Sequence, residues 1–362
     1  MREIETLAAL DAALEDGGTL RGLRLQDLDL GTRADRLLGR ADVEGMVVLG
    51  GRLPPSLGDH LRAHGALVFP TDPRVPVSPY RARVYSADEL YDGLRELGYS
   101  ATPDARAYTW SRDTALHHDA FATLLRAIHD DSVSDALTDL LGDAPVVGVM
   151  GGHALRRDEP AFARAAALGH ALARSGLVVA TGGGPGAMEA ANLGALARTS
   201  TDLADALERL RQVPGFDDVR RWAAAALEVR HDLLAGGEAG LRSVGVPTWF
   251  YGHEPPNVFC DGIAKYFSNA IREDGLLARS SAGVVVLEGA AGTVQEVFQA
   301  ATRMYYGPPD AALPPLVLVG REHWSRTVPV WPALEALADG RAMAGRVHLV
   351  DDVVDAVPLL TG

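Results

Sequence analysis

Short apolar runs and stretches of helical spacing take turns along most of the chain. Val146–Met150, Leu177–Ala180, Gly245–Gly252, Ala282–Leu287, Leu316–Val319 and Val347–Val350 are of strand length and largely apolar. Between and after them Pro160–Ser175, Ala187–Ala195, Asp261–Arg279, Val294–Tyr305, Val328–Leu337 and Asp351–Leu360 carry apolar residues at helical spacing. Alternating β and α elements predict an α/β fold: a Rossmann-like, doubly wound parallel sheet from about residue 145 to 362. Thr201–Leu234 is helical and charged, with a break at Gly236–Gly240, and reads as an insertion at about 201–244. Residues 1–110 repeat the alternation on a smaller scale. There Ile4–Leu14 and Ser56–His64 have helical spacing, Gly45–Gly50 and Ala66–Phe69 read as strands, and Leu20 to Leu30 partly alternates. Pro70–Pro79 reads as loop, and Ser86–Leu97 as a helix. A small N-terminal α/β domain is expected, without a chemistry-bearing motif. Asp113–Leu141 supplies a helical connector at about 111–144.

Composition narrows the partners. The net charge is −14, from 34 Lys and Arg against 48 Asp and Glu, so the chain carries no basic footprint for nucleic acid. An anionic ligand must be held by local N–H groups and a few arginines. Cys260 is the only cysteine, which excludes an intrachain disulfide and fits a reducing cytoplasm. No apolar run is long enough to cross a bilayer, and Met1 leads into an amphipathic stretch, so neither a membrane partner nor a signal peptide is expected. His117, His118 and His129 share one helical stretch, but adjacent histidines point to different faces; solvated or capping roles are expected, and no metal site.

Two strand-to-helix junctions carry glycine loops. Leu177–Ala180 runs into Thr181-Gly-Gly-Gly-Pro-Gly186, and Ala187, Ala190, Ala191 and Gly194 make the next helix small enough for close packing. Strand, glycine loop and helix aim backbone N–H groups at an anion, where a Cβ would block both the turn and the approach. A tight turn without a ligand is the alternative. The dinucleotide fingerprint needs G-x-G-x-x-G after the first strand and an acid at the end of the second. Here Gly148 lies within the strand, Gly151-Gly-His153 follows it, and Thr181 stands where the acid belongs, which weakens an NAD-type reading. After Ala282–Leu287 comes Glu288-Gly-Ala-Ala-Gly-Thr293, with Glu296 three residues on, on the same helix face as Thr293. Thr293 can offer a hydroxyl and an N–H to a phosphate. A carboxylate beside a phosphate is electrostatically awkward and invites a functional explanation; spacing alone favours a capping box of Thr293 and Glu296.

The two loops together, Thr181 to Met188 and Gly289-x-x-Gly292-Thr-x-x-Glu296, resemble the Lonely Guy (LOG) family, long mislabelled "lysine decarboxylase". Its pattern is GGGxxGxM followed by PGGxGTxxE, and Thr181 replaces the first glycine. The longer bacterial branch, the nucleotide 5′-monophosphate nucleosidases, looks closest, through His253-Glu-Pro-Pro-Asn257 and the run from Glu296 to Val319. The likeness covers roughly 145–350, apart from the insertion. It implies hydrolysis of the N-glycosidic bond of a nucleoside 5′-monophosphate to free base and ribose 5-phosphate, without a cofactor. The resemblance assigns the ribose cation to Glu296 and the departing base to Arg272, with Arg279 as a second family arginine. Phosphate would be held by Gly289, Ala290, Gly292 and Thr293, with Gly183, Gly184 and Gly186, and with Gly151 and Gly152 nearby. Met188 would line the pocket or simply fill the core; His153, Glu254 and Asn257 are further candidates. The family's Pro-Gly-Gly is Glu288-Gly289-Ala290 here, which sets a negative charge beside the supposed phosphate. A decarboxylase would need a cofactor-binding lysine, and the sole lysine, Lys265, falls on a predicted helix outside both loops. A homo-oligomer is expected from the related proteins and from Phe298, Tyr305 and Tyr306. The alternative function is non-catalytic binding or sensing of a nucleotide in the same pocket.

Overall fold

A computed structural model describes residues 3–15, 17–69, 72, 74–235, 237, 240–251, 254–308 and 312–361. Two compact units emerge: residues 1–84 with 112–137, and residues 85–111 with 138–362. The segment 85–111, read above with the first domain, therefore belongs to the second unit, and most of the connector belongs to the first.

The first unit holds four parallel strands in the order β1 (Glu3–Ile4), β2 (Arg24–Gln26), β3 (Val47–Leu49) and β4 (Leu67–Val68). Leu10, Leu37, Leu57 and Leu61 from its helices pack with Ile4, Leu25 and Val48 into one core. His129 is fully buried, with Nδ1 3.0 Å from Asp130, so the expected solvated or capping role is corrected; burial depresses its basicity.

The second unit is built on seven strands, all parallel: β5 (Val146–Met150), β6 (Val178–Thr181), β7 (Ser243–Gly245), β8 (Gly262–Ile263), β9 (Gly283–Val286), β10 (Leu316–Val319) and β11 (Val347–Val350). Their order in the sheet is β11-β10-β9-β5-β6-β7-β8. This is the doubly wound α/β arrangement: the chain moves one way from β5 to β8, returns to β9 beside β5, and moves the other way to β11. Every residue of β5, β6, β9 and β10 is buried, which is why these strands read as unbroken apolar runs rather than alternating ones. Helices Pro160–Arg174 and Ala187–Leu196 pack on one face. Their approach is so close that a Cβ on Gly194 would run into the Ala166 carbonyl.

Several elements differ from the sequence reading. The strand expected at Gly245–Gly252 ends at Gly245; Pro247 lacks an N–H, and beyond it only an isolated bridge joins Thr248 to Tyr266. Gly252 and His253 lie outside the described residues. The helix expected from Asp261 starts at Asn269, where the Ser268 hydroxyl caps it, and Gly262–Ile263 is the edge strand β8. The Ser86–Leu97 helix is two short pieces, because Gly93 sits at φ 74° between them. The insertion is two helices, Ser200–Leu210 and Val219–Leu234, the first opened by a capping box of Thr199 and Asp202.

A buried ion pair fastens the insertion to the core. Arg157, after β5, meets Glu189 through Nε at 3.0 Å, and its Nη1 donates to the carbonyls of Val213 and Trp222. Its guanidinium also lies 4.7 Å from the Trp222 ring centroid. Removing one member leaves the other charged in a dry interior. Arg157→Ala is expected to cost about 3–5 kcal/mol in urea unfolding, and Arg157→Met with Glu189→Met to recover most of it. A loss below about 1 kcal/mol in the single variant would show that the pair is not the fastening.

Candidate active site

The reactive corner forms where the helix before β9 meets the helix after it. Asn269–Arg279 leads into β9, and Ala291–Tyr305 leaves it. Arg272 on the first and Glu296 on the second face each other, Nη1 to Oε1 at 3.6 Å, with about a tenth of each side chain exposed. Glu273 stands next along the helix, its carboxylate 3.6 Å from Arg272 Nη2. It also accepts from Asn269 Nδ2 at 2.9 Å and from the Gln295 amide. Neither contact of Arg272 with a carboxylate is close, and its Nε is buried without a hydrogen-bond partner. Such a guanidinium retains capacity for a further acceptor.

The first glycine loop closes over this corner. A Cβ on Gly182 would lie 2.8 Å from the Met188 sulfur and 3.3 Å from Arg272 Nη1, and one on Gly184 would lie 2.9 Å from Met188 Cε. Met188 thus lies along the loop beside Arg272, as a pocket wall would. Glu254 reaches the same place, 3.5 Å from the Gly184 position, and pairs with His153 Nδ1 at 3.4 Å. Gly183 (φ 70°) and Gly186 (φ 74°) hold left-handed turns that only glycine adopts freely.

Much of this loop is already satisfied from within. The Gly183 N–H donates to Thr181 Oγ1 at 2.9 Å, and that hydroxyl donates to Asn192. Its assignment as a phosphate donor is therefore corrected. Asn257 is wholly buried; it donates to the Gly184 carbonyl at 3.1 Å and to Asn192 at 3.0 Å, so it braces the loop rather than lining a pocket. Gly151 and Gly152 end β5, and Gly152 donates to the Glu288 carbonyl while accepting from the Ala187 N–H, which ties the three loops together.

The second loop is the more open one. Its helix is capped by Ala290, whose backbone is extended and whose side chain offers no bond. The capping box of Thr293 and Glu296 is thereby corrected: Thr293 lies inside the first turn, with its hydroxyl packed over Gly289, where a Cβ would collide with it. The N–H groups of Ala291, Gly292 and Thr293 have no acceptor within the helix, since Val294 is the first to bond back, to Ala290. An open helix end of this kind has N–H groups free to meet an anion. Arg279 is apart from all this; it donates to the Gly275 carbonyl and to Thr138 Oγ1. Lys265 lies not on a helix but after β8, buried and paired with Asp104 Oδ1 at 2.6 Å, close over Trp249. Glu273 and Asn269 were passed over in the sequence. The available signal was their spacing: Asn269, Arg272 and Glu273 share one helix face.

The pKa of Glu296 is raised to about 7: burial raises it most, Arg272 pulls it down, and Glu273 and Glu254 push it up.

Residues 144–202 match the SLOG cluster4 family. That segment holds β5, β6 and the first glycine loop, and SLOG proteins include the LOG type, so the resemblance read from the loops is supported. No curated protein matches the sequence. Similar solved structures include a molybdenum cofactor binding protein from Rippkaea orientalis, at 19% identity and TM-score 0.36, covering 60% of this chain and 96% of that one. Two structures of the molybdenum cofactor carrier protein from Chlamydomonas reinhardtii share 21% and 23% identity at TM-scores of 0.34 and 0.35, covering 60% of this chain and 99% and 97% of theirs. Among the described residues no helix is long and apolar enough to cross a membrane.

The raised acidity constant of Glu296 has a consequence for stability. Folding favours its protonated form, so the stability that form contributes is complete below the ordinary carboxylate pKa. It is lost as pH rises through about 7. Glu296→Gln, always neutral, is expected to match the parent in thermal unfolding at pH 5 and to exceed it at pH 8, by up to about 3 kcal/mol. Equal melting temperatures at pH 8 would mean that the carboxylate ionises at its ordinary pH.

Proposed function

We propose that the second unit hydrolyses the N-glycosidic bond of a nucleoside 5′-monophosphate, releasing the base and ribose 5-phosphate. The observation that carries this reading is the Arg272–Glu296 pair, set at the open N-terminus of the Ala291–Tyr305 helix. On this reading the N–H groups of Ala291, Gly292 and Thr293 hold the 5′-phosphate, with Gly289 and Ala290 leaving it room. Glu296 as carboxylate stabilises the oxocarbenium-like C1′ and takes a proton from the attacking water. The C1′–N bond breaks, its electron pair goes to the base, and water oxygen bonds C1′. Arg272, with Nε free to donate, stabilises the charge that develops on the base. On the same reading His153, paired with Glu254 and mostly exposed, passes a proton to the leaving nitrogen. No metal or redox cofactor enters these steps.

A binding or sensing role in the same pocket is the second reading. It is favoured by Glu288 and Ala290, where the second loop departs from the resembled pattern. The two readings part on product. A panel of nucleoside monophosphates is expected to yield free base, with kcat/KM rising to a plateau above about pH 7 as Glu296 ionises. Glu296→Gln should lose at least about a hundredfold in kcat. Saturable binding without base release would leave the sensing role. The phosphate should count as well: adenosine is expected to react about a hundredfold or more less efficiently than its monophosphate, at roughly 1.5 kcal/mol for each charge-assisted bond lost. Equal handling of the two would sink the phosphate assignment. We also propose a homo-oligomer; Tyr306 is largely exposed beside Tyr305, and sedimentation at micromolar concentration should show more than a monomer.

A further inference from the structure

The reversal of strand order between β5 and β9 opens a second cavity, of about 470 Å³, at the carboxyl ends of the strands. Ligands of open α/β sheets settle at such a switch point, and volumes of about 300–1,000 Å³ hold small molecules. The cavity lies on the face opposite the Arg272–Glu296 corner. Right-handed crossovers running in opposite directions along a sheet put their helices on opposite faces. Pro160–Arg174 follows β5 in one direction, and Ala291–Tyr305 follows β9 in the other. Ala161, Arg164 and Ala165 of the first helix line the cavity, with Val353; Arg272, Glu296 and Met188 do not. The two sites share only the backbone wall of Gly152, Gly289 and Ala290.

Its interior is small and apolar, through Ala161, Ala165, Ala187, Leu287 and Val319. The mouth carries the carboxylates Glu159, Glu288 and Asp351, the last paired with Arg321 at 3.4 Å, and the exposed cation Arg164. Glu288 is the residue that replaces the proline of the resembled pattern. Its carboxylate is seated against Gly320, where a Cβ would lie 2.8 Å from Oε1. Gly320 itself sits at φ 103°, in the region that favours glycine. His323 Nε2 lies 3.0 Å from the Gly289 carbonyl and steadies the same loop. Glu288 is thus turned into the switch-point cavity.

We propose that this cavity binds an unphosphorylated nucleoside, with its base in the apolar interior and its ribose diol on Glu288. A carboxylate only accepts hydrogen bonds, and two vicinal hydroxyls are donors matched to its two oxygens. The same pairing of an acid with ribose hydroxyls serves dinucleotide folds. Glu159 and Glu288 at the mouth repel a phosphate, so the preference for phosphate is the reverse of that proposed for the other face.

The probe is adenosine, followed by equilibrium calorimetry on the full chain. Adenosine is expected to bind the parent more tightly than its monophosphate binds Arg272→Gln, in which the other site is disabled. Its affinity should stay within about twofold in Arg272→Gln and fall at least about tenfold in Ala161→Trp, which fills the cavity from a half-exposed helix position. 2′,3′-Dideoxyadenosine should bind the parent at least about tenfold more weakly than adenosine, and that gap should close in Glu288→Gln. Ala161→Trp should keep both its melting temperature and any hydrolysis of monophosphates, so failure of this proposal is distinguishable from failure of the hydrolytic reading. Adenosine binding that survives Ala161→Trp and vanishes in Arg272→Gln, or no saturable binding at millimolar adenosine, overturns it.

Discussion

Everything in the second unit follows from where the chain turns back. After β8 it crosses the sheet to lay β9 against β5, and from then on it builds in the opposite direction. Loops that leave β5 and β9 must diverge, because their helices go to opposite faces. The crevice between them stays narrow only through direct backbone contact: the Gly152 N–H on the Glu288 carbonyl, and the Ala187 N–H on the Gly152 carbonyl. A Cβ on Gly151 would lie 2.8 Å from the Ala187 Cβ, and one on Gly186 2.5 Å from the Gly152 carbonyl oxygen, so side chains at those two positions would push the loops apart. The glycines after β5, β6 and β9 therefore serve the fold first, and the space they leave on each side is what a ligand can use.

On the Arg272 side, electrostatics and packing pull in different directions. Glu273 and Glu254 raise the proton affinity of Glu296, whereas Arg272 lowers it. With the Arg272 contacts at 3.6 Å and its Nε unpartnered, the guanidinium is not consumed by its neighbours. A fully paired arginine would stabilise the fold more and offer a ligand less. The buried pair of Arg157 and Glu189 makes the contrast within the same unit. There the guanidinium is bonded on all sides and stacked on Trp222, and it has nothing left to give.

What the sequence disclosed and what it concealed divide along a physical line. Strands β5 and β10 could be bounded to the residue, because a strand buried in a parallel sheet is apolar throughout; edge strand β11 was bounded as well, although its burial alternates and it carries His348. Edge strand β8 was hidden, since two residues between loops carry no periodicity. Glu296 was singled out by the Gly-Thr-x-x-Glu spacing together with the resemblance, and Arg272 by the resemblance alone. Their mutual distance, and the presence of Glu273 between them, depends on how the two helices meet. Thr293 misled for the same reason: spacing fits a cap, but Ala290 is where the chain enters the helix. The direction of Glu288 could not be read at all, because it is set by Gly320, which neighbours it only through the pairing of β9 with β10.

That direction also settles how the second loop accommodates an acid where the resembled pattern has proline. A carboxylate facing the N–H groups of Ala291 to Thr293 would occupy the helix terminus itself and compete with any anion there. Seated against Gly320, Glu288 keeps its charge on the other side of the strand end, and those N–H groups remain uncapped. The loop thus holds an acid and an anion-binding terminus within a few residues, because the strand end separates them. Field strength falls with distance and with access to water, and Glu288 is exposed. What such a helix end can offer an anion is set chiefly by its own N–H groups and by the carboxylates that share its face, Glu296 above all.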